Sequence, residues 1–387
     1  MRFLKIRNKI SLVYMAQFFT FASIGSMLSL QFELLMDSRS VGLALALTIL
    51  SVSQVLNMSI MFLIRKFDDK ISNKNLIIKL SFAIRTVVVG FMFFVEIPIL
   101  FIALFLLYQM AASPNILFEG LIAQWAYERG LDFGRLRLFA SIGWSLGGLI
   151  AGFLFSAFGG INAILGYAFF VNIINTILAF LFPIRAEKTE KATLQKGMDK
   201  RYRLLLVLAA SVMAPANTFS PILNSHYREV FGLSVDYAIF FAGLAMLIGV
   251  LFSEVIGFVI TDKLMSKFGT LNILLAAMCI SSARWIISIF APNSIVFTAT
   301  YLAHGIAFTF SYLGVIAYIK EKLGNEYTNK IVLEYVLSAF ILGIILTQAA
   351  NFILNFYSHI VLMGFFAVLS LSVLAIFWLF FQRKKVR

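Results

Sequence analysis

The sequence is poor in nearly everything that soluble chemistry uses. Charged residues make up 13% of it, proline occurs six times, histidine three times and cysteine once. The single Cys279 excludes an intrachain disulfide and leaves no thiol pair for redox work. Lying inside an apolar run, it reads as a small buried apolar residue. No HExxH or CxxC motif occurs, and the isolated His304 is not a catalytic set. An enzyme is therefore the least supported class, and neither a metal nor an organic cofactor is expected. What fills the chain is hydrocarbon: 61% of residues are hydrophobic, phenylalanine alone occurs 42 times, and the mean hydropathy is +0.94. No soluble domain has room to form.

Acidic residues are outnumbered 18 to 32 by Lys and Arg, giving a net charge of +14. The basic residues do not gather into a patch that nucleic acid would fit, so no nucleic-acid partner is expected; they fall between apolar runs. Crossing a hydrocarbon core of about 30 Å takes roughly 20 helical residues. Runs of that length are expected at 10–36, 40–64, 76–95, 98–126, 135–157 and 161–184, then at 204–230, 235–260, 271–290, 294–320, 329–353 and 357–381. The opening "MRFLKIRNK" has the charge of a signal-peptide head, but no small-residue cleavage site comes after it, so the first run is expected to be retained as a span.

Basic residues mark one side of these spans. They sit at the N-terminus, after span two (Arg65, Lys66, Lys70, Lys74), after span four (Arg129, Arg135), after spans eight and ten (Lys263, Lys267, Lys320, Lys322) and in the tail "QRKKVR". The opposing loops, "EIP", "FGG", "APN" and "FYSH" among them, hold little beyond Arg39 and Arg228. Under the positive-inside rule both termini are cytoplasmic, from which an even number of spans follows. A basic linker at 185–203 separates an N-terminal six-helix bundle, 1–184, from a C-terminal one, 204–387. This is the pattern of a transporter built from two six-helix repeats, an all-α integral membrane fold.

A charged side chain at a helix centre costs about 2.5 to 3.5 kcal/mol on insertion scales, so each one needs a reason. The clearest are Arg85, Glu119, Arg137, Glu254, Arg284 and Glu334, with His304; Glu33, Lys79 and Glu96 lie near span ends and can reach the interface. Tyr108, Ala112, Asn115 and Glu119 recur at helical spacing in span four, as do Asn217, Ser220, Asn224 and Tyr227 in span seven beside Pro215 and Pro221. Two such stripes suit a wet cavity, or else join helices to one another. Arg135 and Arg137 stand two residues, about 200°, apart on a helix. Arg137 shares its face with Ser141 and Trp144 and is the interior candidate, leaving Arg135 as a cytoplasmic anchor. Gly143 with Gly147, and Gly148 with Gly152, permit a close helix contact.

Two six-span halves, a basic linker and the charged breaks "RKFDDKISNKN" and "TDKLMSKFG" resemble the major facilitator superfamily. Asp69 with Lys70, and Asp262 with Lys263, match parts of its loop motif, while Arg65 stands where that motif has glycine. The stretch "DFGRLRLFASIGWSLGG" is similar to the start of span five in lactose permease type oligosaccharide/proton symporters. That resemblance implies that Arg137 and Glu119 bind solute hydroxyls and that Trp144 stacks on a sugar ring, with the separation 137 − 119 = 18 kept. Arg284 and His304 match the coupling pair of the second half, with 304 − 284 = 20 also kept. Ala307 replaces the family's proton-carrying glutamate, Tyr301 replaces a lysine, and the span-seven aspartate is absent. Glu254 resembles instead the arrangement of phenylpropionate-type permeases, which makes it the proton carrier to be expected.

The resulting expectation is a monomeric secondary transporter of the plasma membrane. It would take up a small polar solute, a sugar or glycoside, a nucleoside or an aromatic carboxylate, driven by a proton gradient. The expected solute site is Asn115, Glu119, Arg137, Trp144, Asn217 and Asn224; the coupling site is Glu254, Arg284 and His304. Solute, protons and the lipid bilayer are the expected partners. A multidrug or metabolite exporter is a rival that the Phe and Met content suits, although "GWSLGGLIAG" lacks the Gly-Pro pair of drug antiporters. A lipid flippase or receptor on the same fold is the other.

Overall fold

The computed structural model of the protein describes residues 2–28, 35, 41–67, 73–129, 131, 133–158, 160–181, 199–324 and 328–382. Glu33, Arg39, Asp69, Lys70, most of the linker and the last five residues lie outside these, as does the side chain of Arg135. Among the described residues, twelve helices are long and apolar enough to cross a membrane. Their windows, from Ile10–Met27 to His359–Phe381, fall on the twelve apolar runs of the sequence. Phenylalanines such as Phe94, Phe153, Phe158 and Phe290 are mostly exposed. That is the expected state of a helix whose outer face meets lipid rather than water.

The chain divides into two compact units, Met1–Thr189 and Glu190–Arg387. The first contains α1 (Arg2–Leu28), α2 (Leu43–Phe67), α3 (Lys74–Met92), α4 (Pro98–Ala112), α5 (Asn115–Glu128), α6 (Phe133–Phe158) and α7 (Ile161–Leu181). The basic head is itself helical, since Lys and Arg are good helix formers. Helices α4 and α5 are one span broken at Ser113–Pro114. Pro114 cannot donate to the carbonyl one turn back. The break is held by side chains: Ser81 donates to the Ala111 carbonyl, and Ser113 Oγ donates to Asn57 Oδ1 at 2.6 Å. The expected continuous stripe from Tyr108 to Glu119 is therefore interrupted, with Tyr108 on α4 and Asn115 and Glu119 on α5.

Helix α1 packs most extensively on α6, and glycines set the distance. A Cβ at Gly143 would lie 2.1 Å from the Phe18 carbonyl oxygen, one at Gly147 2.3 Å from that of Ala22, and one at Gly25 2.2 Å from that of Trp144. Residues 143–147 spell Gly-x-Ser-x-Gly, the letters of a hydrolase nucleophile elbow. Here they lie inside a helix, with Ser145 Oγ donating to the Ile142 carbonyl at 3.1 Å. That elbow needs a sharp strand-to-helix turn, so the glycines serve packing instead.

The second unit contains α8 (Lys200–Phe219), a 3-10 turn (Ser220–Ile222), α9 (Leu223–Phe231), α10 (Val235–Leu247), a π-helical turn (Ile248–Glu254), α11 (Val255–Phe268), α12 (Thr270–Ile289), α13 (Ser294–Ala299), α14 (Tyr301–Leu323), α15 (Thr328–Phe356) and α16 (His359–Phe377). Helix α8 starts at Lys200, inside the expected linker. The 3-10 turn at Pro221 advances three residues per turn instead of 3.6 and so rotates α9 relative to α8. Asn217 is exposed while Asn224 and Tyr227 are buried, so the expected span-seven stripe does not share one face. Cys279 is exposed on α12, on a face turned away from the core, and not buried as its apolar surroundings suggested.

The π-helical turn is seated on Gly305 of α14. A Cβ there would lie 2.0 Å from the Gly249 carbonyl oxygen and from Ser253 Oγ, and 2.6 Å from Glu254 N. Such turns carry an extra residue per hydrogen-bonded ring and recur at functional sites. This one ends on Glu254.

Candidate functional site

In the first unit, α5 and α6 bring Glu119 and Arg137 together. Arg137 Nε lies 3.0 Å from Glu119 Oε1, with the side chains 16% and 24% exposed. Among the described residues Glu119 Oε1 gains no aligned hydrogen bond, so the contact is an ion pair rather than a closed fork. Nη1 of Arg137 donates to Ser141 Oγ at 3.3 Å, and the guanidinium sits 4.6 Å from the ring centroid of Phe21 on α1. A guanidinium has five N–H donors in a planar fork, so capacity remains for a ligand beside Glu119. Asn115 stands one turn before Glu119, and its Oδ1 is buried with no hydrogen-bond partner among the described residues. Trp144, half-buried, stands two turns beyond Arg137 on α6. The four first-half residues thus sit on two adjoining helices, with a cation, an anion, an amide and an indole. Phe21 is not legible in the sequence, because nothing in an apolar run distinguishes one ring facing a cation from those facing lipid.

In the second unit, Arg284 on α12 lies 4.5 Å from the Trp285 ring centroid and 4.5 Å from that of Tyr301. The rings of Tyr301 and His304 are 6.0 Å apart on α14. Glu254 is buried at the end of the π-helical turn, its backbone nitrogen against Gly305 beside His304. Asn224 is buried on α9 and Asn217 is exposed on α8. Glu334, half-buried on α15, lends its carbonyl to Ser338 Oγ at 2.7 Å.

Two further groupings are not visible in the sequence. Arg85 is fully buried; its Nη2 donates to Ser23 Oγ and, at 2.9 Å, to Tyr108 Oη. Tyr108 Oη in turn donates to the Ser23 carbonyl at 3.1 Å. The other grouping joins α9 to α16: His359 Nδ1 is 3.3 Å from Glu229 Oε2, and its Nε2 is 3.0 Å from Ser225 Oγ. His226, fully buried, has its ring 5.4 Å from that of His359. His359 lies within the expected last span, 357–381, and opens its helix.

Twelve apolar helices among the described residues, in two compact units that bury Arg85, Asn224, Glu254 and Arg284, define a multi-pass helical membrane protein of the transporter class. A family model for the Major Facilitator Superfamily matches residues 10–347, and the chain belongs to that family. It is 24% identical over 228 residues to the Uncharacterized transporter YwbF of Bacillus subtilis (strain 168). The match covers 58% of this chain, and the chain spans about half of that relative's length, 55%. Among solved structures, the nucleoside transporter NupG aligns with a TM-score of 0.72 at 14% identity, covering 97% of this chain and 99% of NupG. An auto inhibited POT family peptide transporter aligns at 0.79 and 12% identity, covering 97% of each chain. These two likenesses concern the fold.

Proposed function

We propose that the protein is a secondary transporter of a small polar solute, with Arg137 and Glu119 as the groups that hold it. The observation that carries this reading is their ion pair, 3.0 Å long and still partly open to solvent. An enclosed pair kept only for structure repays its desolvation only when its remaining donors and acceptors are satisfied. This one keeps donors and an acceptor available beside an apolar ring. Such a set suits vicinal hydroxyls or a carboxylate next to an apolar body, as in a sugar or glycoside, a nucleoside or an aromatic acid. The resemblance to lactose permease type symporters supports the same two residues, and the nucleoside transporter among the structural neighbours is compatible with one of these classes. A thermal-shift screen of purified protein against those three solute classes tests the reading. Stabilisation by members of one class is expected; no response from any of them would end it.

Uptake is driven, in this reading, by protons carried on Glu254, with Arg284 and His304 in the same unit, across a plasma membrane with both termini cytoplasmic. Support comes from the burial of Glu254 at an irregular turn and from the basic loops of the sequence. In proteoliposomes, Glu254→Gln should abolish uptake driven by a pH gradient while solute exchange between equal pH values continues. Gradient-driven uptake at the wild-type rate in this variant would remove Glu254 from the coupling role.

A further inference from the structure

Arg85 and Arg284 occupy equivalent places, the third span of each half. They are 0% and 3% exposed. Each guanidinium lies against a tyrosine ring from the following span, 5.0 Å from Tyr108 and 4.5 Å from Tyr301. Each also lies against an aromatic ring of its own helix, 5.9 Å from Phe82 and 4.5 Å from Trp285. The sequence does not announce this repeat, because the Arg-to-Tyr separations differ, 108 − 85 = 23 against 301 − 284 = 17.

At both centres N–H donors are left over. Nε and Nη1 of Arg85 have no hydrogen-bond partner among the described residues, nor do Nε of Arg284 and Nε1 of Trp285. Ring faces attract a cation but do not bond the N–H groups in the guanidinium plane. Neither guanidinium has an ion-pair partner among the described residues, and a buried cation without a counter-charge and with donors unsatisfied is among the least favourable arrangements a membrane interior can hold. The group that would balance it is negative, accepts several hydrogen bonds and is small enough for a fully enclosed place. The Arg85 centre is separate from the Arg137–Glu119 pair. Arg85 meets α1 at Ser23 and Arg137 meets it at Phe21, about 200° round the helix.

We propose that each half binds one compact monoanionic group at its arginine–tyrosine centre. A free halide and a carboxylate carried on a solute offer the same chemistry, and separate arms of the test distinguish them. Full-length protein in detergent is melted while sodium chloride, bromide or acetate is titrated, with ionic strength held by sodium HEPES. The expected result is a saturable rise in melting temperature. Response to the halides alone identifies a free ion, and response to acetate identifies a carboxylate; either supports the proposal.

Arg85→Gln and Arg284→Gln should each remove part of the response, and the double variant all of it. Arg85→Lys, which keeps the charge but loses the fork, should weaken apparent affinity about tenfold and carries the test if the glutamine variant does not fold. Without added anion, Arg85→Gln should melt no lower than the wild type, because it removes an uncompensated charge. No saturable response in the wild type, or a wild-type response in the double variant through an adventitious ion only, overturns the proposal. The readout contains no transported solute, so its failure leaves the Arg137–Glu119 reading standing.

Discussion

Gly143→Val should yield little folded protein, and Gly143→Ala should fold with a lowered melting temperature. In a helix, replacing glycine by alanine ordinarily stabilises by up to about 1 kcal/mol through backbone entropy. At Gly120, where an added Cβ meets nothing within 4 Å, that gain should appear as a small rise in melting temperature. At Gly143 the added carbon meets the Phe18 carbonyl oxygen at 2.1 Å, a distance that only movement of a helix can relieve. Separating α1 from α6 there also strains the contacts at Gly147 with Ala22 and at Gly25 with Trp144. Overpacking of this kind costs about 1 to 3 kcal/mol, and a backbone obstacle on both helices places valine at or beyond the upper end. Folded yield by size-exclusion chromatography, with melting of Gly143→Ala beside Gly120→Ala, decides it. Equal melting of the two alanine variants would show that the close helix contact is not what Gly143 is for.

The spans were legible because bilayer thickness and apolar length are the same constraint written twice; all twelve windows fall on runs visible in the sequence. The Glu119–Arg137 pair was legible for a related reason, since charges in such runs are scarce and need partners. What failed was phase. Helical spacing assumes an uninterrupted helix, and the break at Ser113–Pro114, the 3-10 turn at Pro221 and the π-helical turn before Glu254 each reset it. Pro114 and Pro221 announced the first two, but nothing in "IGVLFSE" marks the third, because it is held by its fit on Gly305 from another span. The Arg85 centre lay hidden for the same reason. Ser23, Arg85 and Tyr108 come from three spans, and only packing brings them together.

Arg137→Ala should reduce solute affinity about 10- to 100-fold, the range set by losing one or two hydrogen bonds to a charged group. It should do so with a smaller effect on melting temperature than Gly143→Val, because the side chain is partly open and contacts Phe21 from one side only. Arg137→Lys tests whether charge or shape matters. An ammonium can face Glu119, but it cannot hold Glu119 and Ser141 from a rigid plane while offering further donors to a ligand. Affinity should therefore stay well below the wild type in the lysine variant.

Glu119→Gln separates the two possible purposes of the pair. If Glu119 only neutralises Arg137, the glutamine variant should destabilise the protein and leave the hydrogen-bonding pattern toward solute largely intact. If it also accepts hydroxyls, affinity should fall with little change in melting. Because the two side chains touch, their effects should not add. The double variant Arg137→Ala/Glu119→Gln should bind about as weakly as the worse single one, and the difference from additivity measures their coupling. Isothermal titration of the four proteins with the stabilising solute provides the cycle. Strictly additive losses would mean that Arg137 and Glu119 meet the solute independently, and that their 3.0 Å contact plays no part in recognition.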